Sequence, residues 1–259
     1  MTREHQIPRP RGSRKLRRRV GQISFSDFLA QAVLSQDREN ASNPDLVPPQ
    51  SWEAETEVSH DLGAWGKTRL RAWYYKVQDI VDFIPIGTDE QGVGNLPRAR
   101  RAGIESVSTI QFDPIGWTGA KLDFTVGREW TAVDDPLTHR ARPISDIEDK
   151  WMSAQVRHDI PHSSWAWSAY LNFTHFSRSY YLTEIYRSLD LPWIAGFYVE
   201  NKNVMGTTVR FSVDNVLNGR HFVDRTVYGG YRDRTPVLFF EKHNHLIGPL
   251  FNLSIKGTF

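Results

Sequence analysis

The stretch Phe251-Asn252-Leu253-Ser254-Ile255-Lys256-Gly257-Thr258-Phe259 places a large apolar residue at every odd position except Gly257 and a polar one at every even position. Successive side chains of a β-strand point to opposite faces, so this segment makes one greasy face and one wet face. The same period of two recurs upstream. Trp165, Trp167, Ala169, Leu171 and Phe173 alternate with Ala166, Ser168, Tyr170, Asn172 and Thr174. Leu122, Phe124 and Val126 alternate with Lys121, Asp123 and Thr125; Met152, Ala154 and Val156 with Ser153, Gln155 and Arg157; Trp193, Ala195, Phe197 and Val199 with Gly196, Tyr198 and Glu200; Val209, Phe211 and Val213 with Arg210, Ser212 and Asp214. Trp52, Ala54, Thr56 and Val58 alternate with Glu53, Glu55 and Glu57. No helical period survives beyond a turn or two, and the pattern predicts an all-β chain.

Connections of two lengths separate these segments. The short ones read as tight turns at Asp61–Gly66, Asp113–Gly119, Pro161–Ser164 and Asn203–Gly206. The long, polar ones run over 27–50, 86–98, 134–149, 177–192 and 218–236. Short turns at one end and long loops at the other describe the periplasmic and extracellular sides of an antiparallel up-and-down transmembrane β-barrel. The expectation is about ten strands from Leu16 onward, an incomplete part of a larger barrel. A soluble sandwich or lipocalin-like barrel, with its apolar faces packed inside, is the alternative. Segments such as 67–83 and 165–181 exceed the usual soluble strand. Trp65, Trp117, Trp165 and Trp193 fall near segment ends, as an interfacial girdle requires.

Composition sets further bounds. Among 259 residues there are 9 Trp, 9 Tyr and 14 Phe, and no Cys. Disulfides and thiolate metal sites are therefore excluded. The net charge of +2 argues against nucleic acid binding by the body of the chain. Eight basic residues fall within the first 20, namely Arg3, Arg9, Arg11, Arg14, Lys15, Arg17, Arg18 and Arg19, against the single acid Glu4. Residues 1–15 are expected to form a structureless basic start and 16–259 the barrel segment. No apolar run reaches the roughly 20 residues of a spanning helix, and no apolar h-region follows Met1, so a signal peptide is not expected.

Five short motifs in order resemble the C-terminal barrel of TonB-dependent outer-membrane receptors. Asn43-Pro44-Asp45-Leu46-Val47-Pro48-Pro49, followed by Ser51-Trp52-Glu53-Ala54-Glu55, resembles the family's loop-to-strand segment. Asp79-Ile80-Val81-Asp82, then Asn95 with Gly103-Ile104-Glu105, resemble its next markers. Val213-Asp214-Asn215-Val216-Leu217-Asn218 resembles a motif near the end, and terminal Phe259 the signal read by barrel-assembly machinery. The resemblance implies a 22-stranded barrel with an N-terminal plug that imports siderophore-, cobalamin- or carbohydrate-like ligands on energy relayed by TonB. It implies location in the bacterial outer membrane and contact with lipid. This chain shows neither plug nor TonB box, so a truncated fragment is expected, with the TonB complex reached only through a plug it lacks.

Tyr and Arg are favoured at recognition surfaces. Tyr180, Tyr181, Tyr186, Arg187, Arg225, Tyr228, Tyr231 and Arg232, with Arg234, are the candidate ligand contacts on the long-loop side. Loop packing and lipopolysaccharide contact are the competing roles. Phe251, Leu253, Ile255 and Phe259 form the candidate assembly signal. His243 and His245 share a strand face and could chelate, yet no further ligand at fixed short spacing completes a set. His158, His162 and His175 form no recognisable spacing either. Asp134-Asp135 beside Pro136 reads as a turn former. No phosphate loop, nucleophile elbow or other catalytic constellation emerges. No cofactor and no enzymatic activity are expected.

Overall fold

The computed structural model describes residues 10–24, 28, 31–33, 38–86 and 90–257. Its strands are β1 (Arg11–Val20), β2 (Gln31–Val33), β3 (Arg38–Asn40), β4 (Gln50–Asp61), β5 (Gly66–Ile86), β6 (Glu90–Gln111), β7 (Ala120–Asp134), β8 (Ala141–Arg142) and β9 (Glu148–Asp159). Then follow β10 (Trp165–Phe176), β11 (Ser179–Tyr180), β12 (Glu184–Leu189), β13 (Trp193–Val204), β14 (Thr207–Asp214), β15 (Arg220–Tyr228), β16 (Val237–Leu246) and β17 (Leu250–Lys256). The chain is all-β, and every ladder between these strands is antiparallel.

The main sheet runs β1-β4-β5-β6-β7-β9-β10-β13-β14-β17, with β8 beside β7. Each strand thus pairs with its predecessor and its successor on the path, an up-and-down meander. A second sheet, β11-β12-β15-β16, extends the same ribbon. Registers show the continuity. Between the pairs Gly196↔Asp214 and Leu189↔Phe222, one strand advances seven residues and the other eight. Between Asp214↔Leu250 and Arg220↔Leu246, the advances are six and four. A register shift of one or two residues, over three to seven residues outside the ladders, therefore separates the two sheets, and the chain crosses it without reversing.

Asn215 makes that break. Its φ of 57° lies in the left-handed region, which Asn tolerates better than most residues. Fully buried, its Nδ2 donates to the Gly248 carbonyl at 2.8 Å, and its Oδ1 accepts from the Gly219 N–H at 2.6 Å. One side chain thus pins the kinks of both neighbouring strands. Asn95 acts similarly: Oδ1 accepts from the Val47 N–H, and Nδ2 donates to the carbonyls of Val47 and Asp79. That holds the Asn43–Pro49 segment against β6, where Asn43 Nδ2 also reaches the Val93 carbonyl at 2.9 Å.

Several expectations need correction. Residues 11–15 are not structureless, because they form the first half of β1, paired from Arg11↔Ser59 to Lys15↔Glu55. Charge alone does not prevent a strand when its inner row meets Glu53 and Glu55. Within the segments expected as loops, 90–98, 179–180, 184–189 and 220–228 are strand residues whose backbone groups are paired. Polar composition misled there, since it marks solvated strands as readily as loops. Among the described residues β1 and β17 form no ladder with each other, and no closed barrel is present. Phe259 lies outside the described residues.

Candidate functional site: an inverted sheet and its loop-end ion network

The two faces of the main sheet have reversed polarity. By register, one face carries Val58, Leu70, Ile104, Val126, Met152, Leu171, Phe173, Phe197, Phe211, Phe251, Leu253 and Ile255 in adjoining positions. This is the more open face: nine of the twelve are exposed, Phe251 to 70%, while Met152, Leu171 and Phe173 are half-buried. The opposite row holds Glu53, Glu55, Trp73, Arg71, Glu105, Glu129, Arg157 and Glu200. There Glu53 is 4% and Glu200 3% accessible. A water-soluble fold buries the first set and exposes the second; here the order is inverted.

Each buried carboxylate has a cationic partner across the sheet. Arg17 Nε donates to Glu53 at 2.6 Å, Arg71 to Glu55 at 3.1 Å and Arg157 to Glu200 at 2.7 Å. Arg210 also reaches Glu200, and Arg101 pairs with Glu129. Indole rings sit among these ions because glycines make room. Trp73 lies over its register partner Gly103 and Trp151 over Gly127, and the two rings stack with centroids 6.2 Å apart. A Cβ on either glycine would fall 2.1 Å from the indole.

Aromatic residues bound the apolar face at both ends. Trp65, Trp117 and Trp165 are exposed at the short-turn end, whereas Trp52, Tyr74, Trp130 and Trp193 are exposed toward the loops. Along β10, Trp165 precedes Phe173, the register partner of Trp193, by eight residues. At about 3.3 Å per residue that is roughly 26 Å of strand. The expected girdle at Trp65, Trp117, Trp165 and Trp193 therefore lies on exposed positions, three at one end and one at the other.

At the loop end the segment following β7 folds back over the inner row. Ile144 joins Leu96, Ala99 and Val133 in a small apolar cluster, with Val77, Ile80, Ile84 and Ile147 packed on it. Beside it four ions interlock. Asp135, 2% accessible, accepts from the Leu137 and Thr138 N–H groups through Oδ1, and from Arg142 (2.8 Å) and Arg232 (2.7 Å) through Oδ2. Arg142 also donates to Asp82 at 2.9 Å. Burial pushes the Asp135 carboxyl upward, but the Thr138 N–H, Arg232 and Arg142 outweigh it and hold it down at about 2.

The predicted contact residues fall into four groups around this network. Tyr180, Tyr181 and Arg232 belong to it. The Arg142 guanidinium lies 4.7 Å from the Tyr180 ring centre, Arg232 Nε donates to the Tyr181 carbonyl, and Tyr181 packs on Phe83 at 4.3 Å. Tyr186 and Arg225 are register partners on the neighbouring strands, where Arg225 pairs with Glu184 and Glu241. Arg187 points to the other face and bonds His175 and Asp224. Tyr228 and Tyr231 sit at the 229–236 connection: the Tyr228 N–H donates to the Thr183 carbonyl, and the Tyr231 hydroxyl to the Glu90 carbonyl. Asp82, Asp135 and Arg142 were missed as network members. Asp135 and Arg142 fall in a stretch that reads as a polar loop, which gave no sign of burial, and Asp82 stands on β5 with nothing local to mark its partner. His158 and His175 are far apart in the pairing, one near the short-turn end of β9 and the other at the loop end of β10.

No protein-family model and no curated protein sequence matches this chain.

Proposed function

We propose that this sheet is a set of transmembrane staves from an outer-membrane β-barrel of the TonB-dependent receptor kind, the C-terminal part of a transporter for a scarce siderophore-, cobalamin- or carbohydrate-like ligand. The observation that carries the reading is the inverted polarity of the faces: an apolar row, exposed at most of its positions, between two aromatic belts, backed by buried, mutually paired ions. Hydrocarbon accepts the first face, and a polar lumen accepts the second. The span between the belts, about nine residues, agrees with the roughly 9–11 that a tilted strand needs to cross a bilayer.

In this reading outer-membrane lipid contacts the apolar row, and the alternating last strand, with Phe251, Leu253 and Ile255 exposed on the lipid side, is what the barrel-assembly machinery reads. Open backbone edges cost several kcal/mol per unsatisfied group in lipid, so further strands complete the wall. Tyr186 and Arg225 line the inner face of the loop-end ribbon as ligand contacts, on the rigid support of the Asp135 network. Energy coupling through TonB would pass through a plug lodged against the ionic wall. The role is binding and passage, with no bond-breaking chemistry and no nucleic acid partner.

Cell fractionation of the expressed full chain tests this. Recovery with outer-membrane detergent extracts, together with heat-modifiable mobility on gels, is the expected result. Recovery as a monodisperse species in the aqueous phase without detergent would favour a soluble β-rich binding protein and overturn the proposal.

A further inference from the structure

We propose that His221, His243 and His245 form a binding site for a borderline divalent transition ion, such as Zn2+ or Cu2+, on the loop-end ribbon. The sequence puts His243 and His245 two apart, on one face of β16. Strand pairing supplies what sequence spacing does not, because His221 of β15 stands directly opposite His245. The ring centroids are 5.6 Å apart for His243–His245 and 6.2 Å for His221–His245, and the rings lie within 13° and 19° of parallel. Two imidazoles at i and i+2 with a third on the adjacent strand is a donor set suited to three nitrogens of a tetrahedral ion, leaving a fourth position open.

A second observation points to a metal rather than to packing. Two of the three rings give one nitrogen to a carboxylate: His221 Nδ1 meets Asp190, and His243 Nε2 meets Glu241 at 2.5 Å. Carboxylates in that position fix the tautomer of a ligating imidazole and raise its basicity, and they leave the other ring nitrogen, His221 Nε2 or His243 Nδ1, as a free donor. The site shares its face with Tyr186, Arg225 and Glu241, and with no part of the Asp135 network.

Among the described residues no three such groups already converge on a point. The parallel rings must therefore turn about their side-chain torsions as the ion binds. β16 forms the outer edge of its sheet and is exposed along nearly its whole length, so that rotation is unobstructed. Imidazole donors with no carboxylate in the first set favour transition ions over Ca2+ and Mg2+.

The test is Zn2+ titration of the purified full chain in detergent, followed by calorimetry, with the Cu2+ form examined by electron paramagnetic resonance. Neither readout depends on the chain's membrane role. We expect saturation at one ion per chain and nitrogen couplings in the Cu2+ spectrum. His221→Asn and His245→Asn should each weaken Zn2+ more than Asp190→Asn, for which about 10-fold to 100-fold is expected. His158→Asn, outside the site, should leave binding unchanged. Three results would each overturn the proposal: no saturable Zn2+ binding by the unmodified chain, equal affinity for Ca2+, or an affinity untouched by His221→Asn. Because unmodified chain alone decides the first two, misfolding of a variant cannot shield the idea.

Discussion

Replacing Asp135 with asparagine should release the loop end from the wall. The carboxylate sits between Arg142 and Arg232, whose side chains are each only 6% accessible. Its carboxyl is held at about 2 against an ordinary 3.8. That difference is worth about 2 kcal/mol at neutral pH, at about 1.4 kcal/mol per pH unit. Removing one partner of a buried ion pair costs about 3–5 kcal/mol by mutational experience, so a loss of about 2–4 kcal/mol is expected. The substituted amide would keep an acceptor oxygen for the Leu137 and Thr138 N–H groups, which confines the loss to the ionic part. The folded carboxyl titrates below its unfolded value. The contribution is therefore fully present above about pH 4 and disappears as pH falls toward 2. Amide hydrogen exchange in detergent, read over 135–142 and 229–236, reports the local opening free energy. If Asp135→Asn changes that free energy by less than about 1 kcal/mol at pH 7, or if the gap to the unmodified chain persists at pH 2, the network does not hold the loops as argued.

Three other outcomes follow from the same physics. Gly127→Ala should destabilise the sheet by about 1–3 kcal/mol and alter Trp fluorescence, because a Cβ would strike the Trp151 ring; Gly12→Ala, whose nearest atom is 3.8 Å away, should be neutral in the same unfolding assay. Val126→Arg, near the middle of β7 on the apolar row, should cost about 2–4 kcal/mol in bilayers, whereas a solvent-facing position would show almost no change on denaturant titration in vesicles. Asn215→Ala should cost about 1–3 kcal/mol by stranding the Gly219 N–H and Gly248 carbonyl, with faster hydrogen exchange confined to 215–219 and 247–249.

Period-two alternation made the all-β class, the short turns and the facing of most strands legible in the sequence. Leu122, Phe124 and Val126 share one row, and Glu53, Glu55 and Glu57 the other, as the pattern required. What the pattern could not carry was the length of the strands at the loop end. In 220–228 and 179–189 polar residues on both faces erased the alternation, and only backbone pairing between distant segments reveals the ribbon. The motif residues proved readable in another sense. Asn95, Asn215 and Gly103 each occupy a place where a side-chain amide replaces a missing backbone partner or a ring needs the space of a Cβ. Asp82 lies buried on Arg142. The ion network escaped notice because Asp135 and Arg142 meet Arg232 across ninety residues or more of chain, and no local signal encodes that distance.

Whether the apolar row faces hydrocarbon while its neighbours face water is open to direct observation. The chain has no cysteine, so single Cys substitutions along 165–176 of β10 can carry a nitroxide, and collision with oxygen or with a water-soluble nickel chelate can be read in reconstituted bilayers. Alternation is expected: oxygen-accessible at Trp167, Ala169, Leu171 and Phe173, and nickel-accessible at Tyr170 and Asn172, with the fully buried Ser168 reached by neither. A row at the odd positions that neither reagent reaches would mean a dry protein interior, and the membrane assignment would fall with it.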